Sequence, residues 1–213
     1  MNYKQYAENV VSGKIVAGEL MKLASERFLS DLKRDDLFFN EKKVNHLIQF
    51  ASVLKHYTGS HNGQPFILEP WQEFIAANIF GFYYKGSGKR RFTQSYIEVS
   101  RKNGKTFTAA LFCLFAMIAD GEAGAEVLLA ANSKEQAKIS FEMCQALVRQ
   151  LDSTEKIIKP YRNEIKFFKT NSKMKVLSSD DSKLDGYNCS FGLIDEYHSA
   201  PNSKVRDVIK SSQ

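Results

Sequence analysis

The sequence has few cysteines and no long apolar segment, and both absences narrow the class of protein. Its three cysteines, Cys113, Cys144 and Cys189, lack the spacing of a zinc site or a disulfide framework, so we expect buried or free thiols in a reducing compartment. The longest apolar run, Ala109 to Ala119, is too short to span a bilayer. The N-terminus lacks the apolar core of a signal peptide, and we find no internal repeat or low-complexity segment.

A modest excess of positive charge is the clearest feature of the composition. Of the 213 residues, 30 are Lys or Arg and 24 are Asp or Glu, which gives a net charge of +6 and an isoelectric point near 9.1. A basic protein is suited to a polyanionic partner. Many basic proteins bind no nucleic acid, however, so the charge permits such a partner without identifying it.

The motif richest in chemistry lies just before the apolar run. Residues 97–106 read Ile-Glu-Val-Ser-Arg-Lys-Asn-Gly-Lys-Thr, and we interpret Phe92 to Val99 as a strand that leads into a tight loop and a helix. In such loops backbone N–H groups and the helix N-terminus bind phosphate, a lysine reaches the outer phosphates and a hydroxyl binds magnesium. The predicted nucleotide-binding residues of this loop are Ser100, Arg101, Lys102, Asn103, Gly104, Lys105 and Thr106, with Thr106 also a predicted magnesium ligand.

The loop departs from the usual phosphate-binding pattern at its first glycine. Val99 occupies the position of that glycine, and Arg101 and Lys102 add two cations. A loop with less glycine and more positive charge restricts the choice of family. The other glycine-rich segment, Gly86 to Lys89, has no strand before it and no apolar helix after it, so we interpret it as a hairpin or a connecting turn.

A second motif, about ninety residues further on, completes the predicted site. The run Phe191-Gly192-Leu193-Ile194 ends in Asp195 and Glu196, which indicates a buried strand that delivers two carboxylates to its C-terminal end. Ligands of open α/β sheets bind at that edge. We expect Asp195 to hold magnesium through water, and Glu196 to orient and deprotonate the attacking water.

Strands and helices alternate along most of the chain, which predicts a parallel sheet with right-handed crossovers. We expect a helical region over residues 1–58, with apolar residues at helical spacing between Tyr3 and Arg34, and a P-loop ATPase domain over 59–213. Strands are predicted at 126–131, 165–168 and 174–177, and helices begin near Asn40, Pro70, Ser133 and Pro201. We interpret 184–187 as a turn. A complete nucleotide-hydrolysing sheet needs more strands after Glu196, so we expect the domain to be incomplete at its C-terminus.

The order of these motifs resembles the large terminase subunit of tailed bacteriophages, the motor that packages DNA into capsids. The resemblance covers about residues 65 to 210. It depends on five segments that occur in the family's order: Glu69-Pro70-Trp71-Gln72, the loop from Val99 to Thr106, Ala130 to Ala137, Leu184-Asp185-Gly186-Tyr187-Asn188, and Ile194 to His198.

The resemblance implies an α/β, parallel-sheet P-loop NTPase of the additional-strand (ASCE) type that uses ATP and Mg²⁺ to move double-stranded DNA. It places Gln72 near the adenine, and it makes Arg101 and Lys105 catalytic beside Glu196. It implies a portal protein and a small terminase subunit as partners, a possible homo-oligomeric ring and no membrane. The expected location is the host bacterial cytoplasm, transiently at the procapsid portal vertex. A nuclease domain is expected only in a longer protein, so residues 1–213 alone should hydrolyse ATP slowly and cut no DNA.

Two alternatives remain open from the sequence. A superfamily-2 helicase or translocase also has an acidic motif like Asp195-Glu196 and an upstream glutamine like Gln72, although its loop is usually richer in glycine than the segment around Arg101. A non-catalytic nucleotide-binding module would keep the loop, but it would have no need of Glu196. The two arginines that we consider for a contact between subunits are Arg149 and Arg162, which the sequence does not rank.

Overall fold

The computed structural model describes residues 1–131, 134–177, 187–199 and 203–212, without the side chains of Lys134, Glu135 and Ser199. The chain forms two compact units. The first contains residues 1–53 and 65–98, and the second contains residues 54–64 and 99–213. The predicted boundary between a helical region at 1–58 and an ATPase domain at 59–213 stays a prediction. Within the described residues, no helix combines the length and the apolar character needed to cross a membrane.

The first unit is a group of helices with a small antiparallel β-ribbon. Asn2 caps the first helix and Asn40 caps the third, where its side chain accepts a hydrogen bond from the N–H of Lys43 at 3.0 Å. The helices are α1 (Tyr3–Val11), α2 (Glu19–Asp31), α3 (Glu41–Val53) and α4 (Pro70–Gly81), and the ribbon pairs β1 (Leu37–Phe39) with β2 (Phe82–Tyr84).

Aromatic rings fill the centre of the first unit. Phe28 is fully buried, and its ring lies 5.4–6.2 Å from the rings of Tyr3, Phe39, Phe74 and Phe82. These are edge-on and tilted contacts, which aromatic pairs prefer over face-to-face stacking. The ribbon and three of the helices therefore share one core.

The predicted helical region between Tyr3 and Arg34 consists of two helices. The chain leaves the helix after Val11 and re-enters it at Glu19, with Gly13 in the left-handed region at φ 76°. A glycine reaches that conformation at little cost and ends helices readily. The apolar spacing misled, because Val16 and Leu20 are 97% and 83% exposed.

The second unit is a five-stranded sheet with helices. Its strands lie in the order β4-β5-β6-β3-β7. The strands are β3 (Glu126–Ala131), β4 (Ile158–Pro160), β5 (Glu164–Phe167), β6 (Ser172–Val176) and β7 (Cys189–Asp195). The helices are α5 (Lys105–Ile118), α6 (Lys134–Leu151) and α7 (Lys204–Ser211), and a short 3₁₀ helix covers Tyr197–Ser199.

The middle of this sheet is parallel, as predicted. β3 pairs in parallel with β6 on one side and with β7 on the other, and every residue of β3 is buried. A strand that is buried along its whole length is typical of a parallel sheet that is covered on both faces. The hairpin of β4 and β5 adds an antiparallel edge beside β6, which the sequence did not predict.

The predicted strand from Phe92 to Val99 does not form. These residues take part in no strand pairing among those that the structure describes, and residues 93–98 are exposed, with Tyr96 at 70%. Alternating apolar and polar residues suit a half-buried strand, but a strand also needs a neighbour to accept its backbone hydrogen bonds. The pattern cannot show whether that neighbour is present.

Other local predictions were confirmed where the structure describes them. Gly86 to Lys89 forms a turn after β2, closed by a hydrogen bond of 2.9 Å from the N–H of Tyr84 to the carbonyl of Lys89. The three cysteines are free and buried, and burial raises the pKa of the Cys144 thiol to about 12. The predicted cap at Ser133, the turn at 184–186 and the helix start at Pro201 lie outside the described residues.

Candidate functional site

The loop before α5 is shaped by two residues with left-handed backbone. Lys102 has φ 69°, and Gly104, which precedes the first residue of the helix, has φ 72°. The side-chain amide of Asn103 donates to the Ser100 hydroxyl at 2.7 Å and to the Ser100 carbonyl at 3.2 Å, which closes the loop. Ser100 to Asn103 are exposed. Left-handed residues turn successive N–H groups toward one side, and such concave backbones bind anions.

The helix that follows is buried and anchored to the loop. The Thr108 hydroxyl donates to the carbonyl of Gly104 at 3.1 Å, and the Thr108 N–H reaches the same oxygen at 3.0 Å. Nearly all of α5 from Phe107 to Met117 is buried. The N-terminus of the helix is therefore fixed, and its positive dipole end lies beside the loop.

Lys105 joins the loop to the acidic strand. Its ammonium donates a hydrogen bond to Glu196 Oε1 and lies 3.2 Å from Asp195 Oδ1. Partial burial opposes the charge of Lys105, but its hydrogen bonds to Glu196 and Asp195 outweigh burial and raise the pKa of the ammonium. Lys105 is thus a cation held between two carboxylates at the end of β7.

Asp195 ends β7 beside Ala131, the last residue of β3, so it lies at the carboxyl edge of the parallel strands. Its Oδ2 accepts a hydrogen bond of 2.9 Å from the hydroxyl of Ser140 on α6, and its Oδ1 accepts one of 2.9 Å from the N–H of Glu196. Ser140 is 1% exposed. The carboxylate is therefore fixed from two directions before any ligand arrives.

Glu196 follows with an unusual backbone. Its φ of 51° lies in the left-handed region, which costs a residue other than glycine roughly 1 kcal/mol or more. Its Oε2 lies 3.4 Å from His198 Nδ1, and its other oxygen contacts Lys105. Residues in such conformations are frequent at functional sites, where surrounding contacts hold them in place.

The structure brings together the most important of the predicted site residues. Lys105, Asp195 and Glu196 are in contact, and Thr106 is half-buried in the first turn of α5. Gln72 belongs to the first unit. There it is 3% exposed, and its side-chain oxygen accepts a hydrogen bond of 2.8 Å from the N–H of Glu69 at the start of α4. Its contact with adenine stays a prediction.

Ser140 is the residue of this site that the sequence analysis missed. It lies two turns into α6 and 55 positions from its partner Asp195, and no motif marks it. A signal would require knowing that α6 packs against the end of β7. Serine in a helix interior often bonds its own backbone, so the sequence alone gave Ser140 no special role.

The fold and the site define a P-loop nucleotide-binding protein. A left-handed loop ends in a lysine at the start of a buried helix, and one parallel strand, β7, delivers two acids to the carboxyl edge of the sheet, where they contact that lysine. Residues 70–213 match the family model for the terminase large subunit, ATPase domain. This match covers well over half of the sequence, and the chain therefore belongs to that family. Membership decides against the helicase alternative.

Two solved structures resemble this chain, and the first of them agrees with its fold. The large terminase of bacteriophage HK97 superposes with a TM-score of 0.66 and 21% sequence identity, over 80% of this chain and 35% of that one. The large terminase ATPase domain of Thermus phage P74-26 gives a TM-score of 0.45 and 20% identity, over 53% of this chain and 51% of that one. The chain thus spans only part of both proteins. Comparison with curated proteins gives no significant match.

Proposed function

We propose that this chain is the ATPase motor domain of a phage terminase large subunit, which hydrolyses ATP to drive double-stranded DNA into a procapsid. The observation that carries the proposal is the contact of Lys105 with Asp195 and Glu196 at the carboxyl edge of the sheet. Family membership over residues 70–213 supports the same activity. The proposed partners are double-stranded DNA, a portal protein, a small terminase subunit and further copies of the chain in a ring, in the host bacterial cytoplasm and transiently at the portal vertex.

ATP would bind with its phosphates on the loop. The N–H groups between Ser100 and Lys105 and the N-terminus of α5 offer donors to the phosphate oxygens. Lys105 is the ammonium that reaches the outer phosphates, so an incoming nucleotide must compete with Glu196 for it. Arg101 is an exposed residue of the loop and is the proposed side chain for stabilising charge on the transferring phosphoryl group.

The donor set fits a magnesium ion. The hydroxyl of Thr106 and, through water, the carboxylate of Asp195 offer hard oxygen atoms, which Mg²⁺ prefers. Over the described residues no group of three His, Cys, Asp or Glu side chains forms a cage, so the ion would share phosphate and water oxygens, as Mg²⁺ usually does. When bound, Mg²⁺ would neutralise developing charge on the phosphates.

Glu196 is the proposed general base. Its carboxylate lies at the end of β7 next to Asp195, and it can accept a proton from the attacking water once the nucleotide has drawn Lys105 toward the phosphates. The Lys105 ammonium and the loop N–H groups supply charge stabilisation, which is the main catalytic contribution in phosphoryl transfer.

Replacing Asp195 with Asn tests this assignment of the metal. We expect Asp195→Asn to raise the Mg²⁺ concentration needed for half-maximal binding of a fluorescent ATP analogue by roughly ten- to a hundredfold, because a neutral amide holds the hydrated ion less strongly than a carboxylate does. Binding without magnesium should change little. The measurement is fluorescence anisotropy during a Mg²⁺ titration, with the exposed Asp35→Asn as control. An unchanged magnesium requirement would remove Asp195 from the site.

Replacing Ser140 with Ala tests how Asp195 is positioned. The hydroxyl touches Asp195 and not the nucleotide, so we expect Ser140→Ala to raise the magnesium requirement roughly tenfold while magnesium-free binding stays as in the parent chain. Ser172→Ala is the matched control. Ser172 is also buried, and its hydroxyl accepts from the N–H of Ala125 at the opposite end of the sheet. Equal effects of the two variants would reduce Ser140 to a packing residue.

A further inference from the structure

One face of the β4-β5-β6 hairpin region carries a row of lysines. Lys159 on β4 is in register with Lys166 on β5, and Lys166 is in register with Lys173 on β6. Adjacent strands lie about 4.8 Å apart, so the three side chains leave the sheet side by side. We call these three residues the lysine face.

The opposite face of the same strands is buried. Ile158, Ile165, Phe167 and Met174 are at most 6% exposed, and they alternate with the lysines along each strand. Because successive side chains in a strand point to opposite sides, the lysine face lies on the side away from this apolar layer. Lys159 is exposed, and the side chains of Lys166 and Lys173 are 43% and 39% exposed.

Local contacts hold the lysines in place without neutralising the face. The ammonium groups of Lys159 and Lys166 both lie over the ring of Tyr161, at 5.5 and 5.4 Å from its centre. Lys173 contacts Glu126 at 3.1 Å, and Lys166 contacts Glu164 at 3.2 Å. The shared ring fixes the direction of both ammonium groups, and the region stays positive because residues 156–175 have seven Lys or Arg residues against the single acid Glu164.

The charge of this region accounts for the basic character of the whole chain. Between residues 156 and 175 the sequence has seven Lys or Arg residues and a single acidic residue, Glu164. That segment therefore has a net charge of +6, which equals the net charge of the complete sequence. The charges of all other residues sum to zero, so the net positive charge of the chain equals that of the segment that contains the lysine face.

The same side of the sheet is covered by helix α7 near β3 and β7. On β3 the residues in line with Lys173 and Lys175 are Glu126 and Leu128. Leu128 packs in one cluster with Ile209 of α7, so that helix covers the sheet near β3 and β7. Toward β4 this side of the sheet carries lysines instead of apolar residues. An apolar helix suits the first part of the surface, and a polyanion suits the second.

We propose that the lysine face is the surface through which this domain holds the phosphate backbone of double-stranded DNA. The inference rests on the proposed packaging function and identifies its DNA-contacting surface. Lysines are point charges on flexible stems, which suit phosphates of any sequence better than base edges. A motor that moves along DNA requires such sequence-independent contacts.

The test removes two of the charges. We expect Lys159→Gln/Lys166→Gln in the full chain to bind a fluorescent duplex roughly tenfold or more weakly at about 0.1 M salt, and to reduce the slope of log affinity against log salt by roughly 2. The effect should be the same on two duplexes of unrelated sequence. Lys159→Arg/Lys166→Arg keeps both charges and should bind as the parent chain does.

The matched control is Lys55→Gln/Lys138→Gln, which removes the same charge from the same unit. Like Lys166, Lys138 has a carboxylate partner, Glu142 at 3.6 Å, and Lys55 is exposed like Lys159. We expect this variant to bind DNA normally. Equal weakening by both pairs, no weakening by either, or a loss confined to one duplex sequence would each overturn the proposal.

Binding of ATP by the same variants separates this inference from the proposed function. The lysine face lies outside the nucleotide site, so Lys159→Gln/Lys166→Gln should bind ATP as the parent chain does. If the chain bound DNA through the lysines but bound no ATP, the result would contradict the proposed motor function and support the lysine face as a DNA-binding surface. If the chain bound ATP normally and its DNA affinity did not depend on the lysines, the lysine face would be wrong and the proposed ATPase function would remain supported.

Discussion

We expect Lys105→Ala to weaken ATP binding by roughly ten- to a hundredfold and to abolish measurable hydrolysis. Lys105 is the ammonium at the start of α5 that contacts both acids of the site. A charge-assisted hydrogen bond to an ion contributes about 1.5–3 kcal/mol, which corresponds to that range of affinity. The loss of hydrolysis should be larger than the loss of binding, because charge on the outer phosphates grows in the transition state.

Binding is measured with a fluorescent ATP analogue and hydrolysis by release of inorganic phosphate. Lys138→Ala is the control, since it removes a lysine of α6 that is bonded only to Glu142 among the contacts described here. Thermal unfolding shows whether the variant is folded, because Lys105→Ala also leaves Asp195 and Glu196 facing each other without their cation. Near-normal affinity and turnover in a folded Lys105→Ala protein would place the phosphate site elsewhere.

Glu196→Gln should separate binding from chemistry. The amide cannot accept the proton of the attacking water, so we expect turnover to fall by roughly a hundred- to ten-thousandfold. ATP affinity should be kept or improved. In the structure Glu196 holds Lys105, and a neutral amide would compete less with the phosphates for that cation. A tighter but inactive complex is the expected result.

The control for this variant is Glu142→Gln, an exposed carboxylate of α6 that is also paired with a lysine. It should leave both affinity and turnover unchanged. If Glu196→Gln hydrolysed ATP at the parent rate, Glu196 would be only a partner of Lys105, and the general base would have to be another residue. If it lost affinity as strongly as Lys105→Ala, Glu196 would have a structural role at the loop.

The sequence predicted the parts of the site that depend on short-range pattern. Gly104, Lys105 and Thr106 predict the end of a loop and the start of a helix within three residues. The apolar run before Asp195 predicts a strand that ends in an acid. Their meeting followed from a general rule about the edge of parallel sheets. In the structure Lys105 contacts both Asp195 and Glu196, and the roles assigned to the three residues stay predictions.

The features that were missed depend on pairing between distant segments. The strand predicted from Phe92 to Val99 required a neighbour that the pattern could not supply. The hydrogen bond of Ser140 to Asp195 required the packing of α6 on β7. The alignment of Lys159 with Lys166 required the register of a hairpin, and a shift of one residue would have sent each lysine to the opposite face.

The backbone conformation of Glu196 lowers the stability of the fold at a residue with a proposed catalytic role. A glycine would adopt φ 51° at a lower conformational cost than a glutamate, but glycine has no carboxylate to place beside Lys105. The chain keeps the less favourable residue because the hydrogen bond of its N–H to Asp195 and its contacts with Lys105 and His198 hold the turn. If Glu196 is the proposed general base, a substitution at position 196 that stabilises the fold would therefore also remove that base and lower hydrolysis.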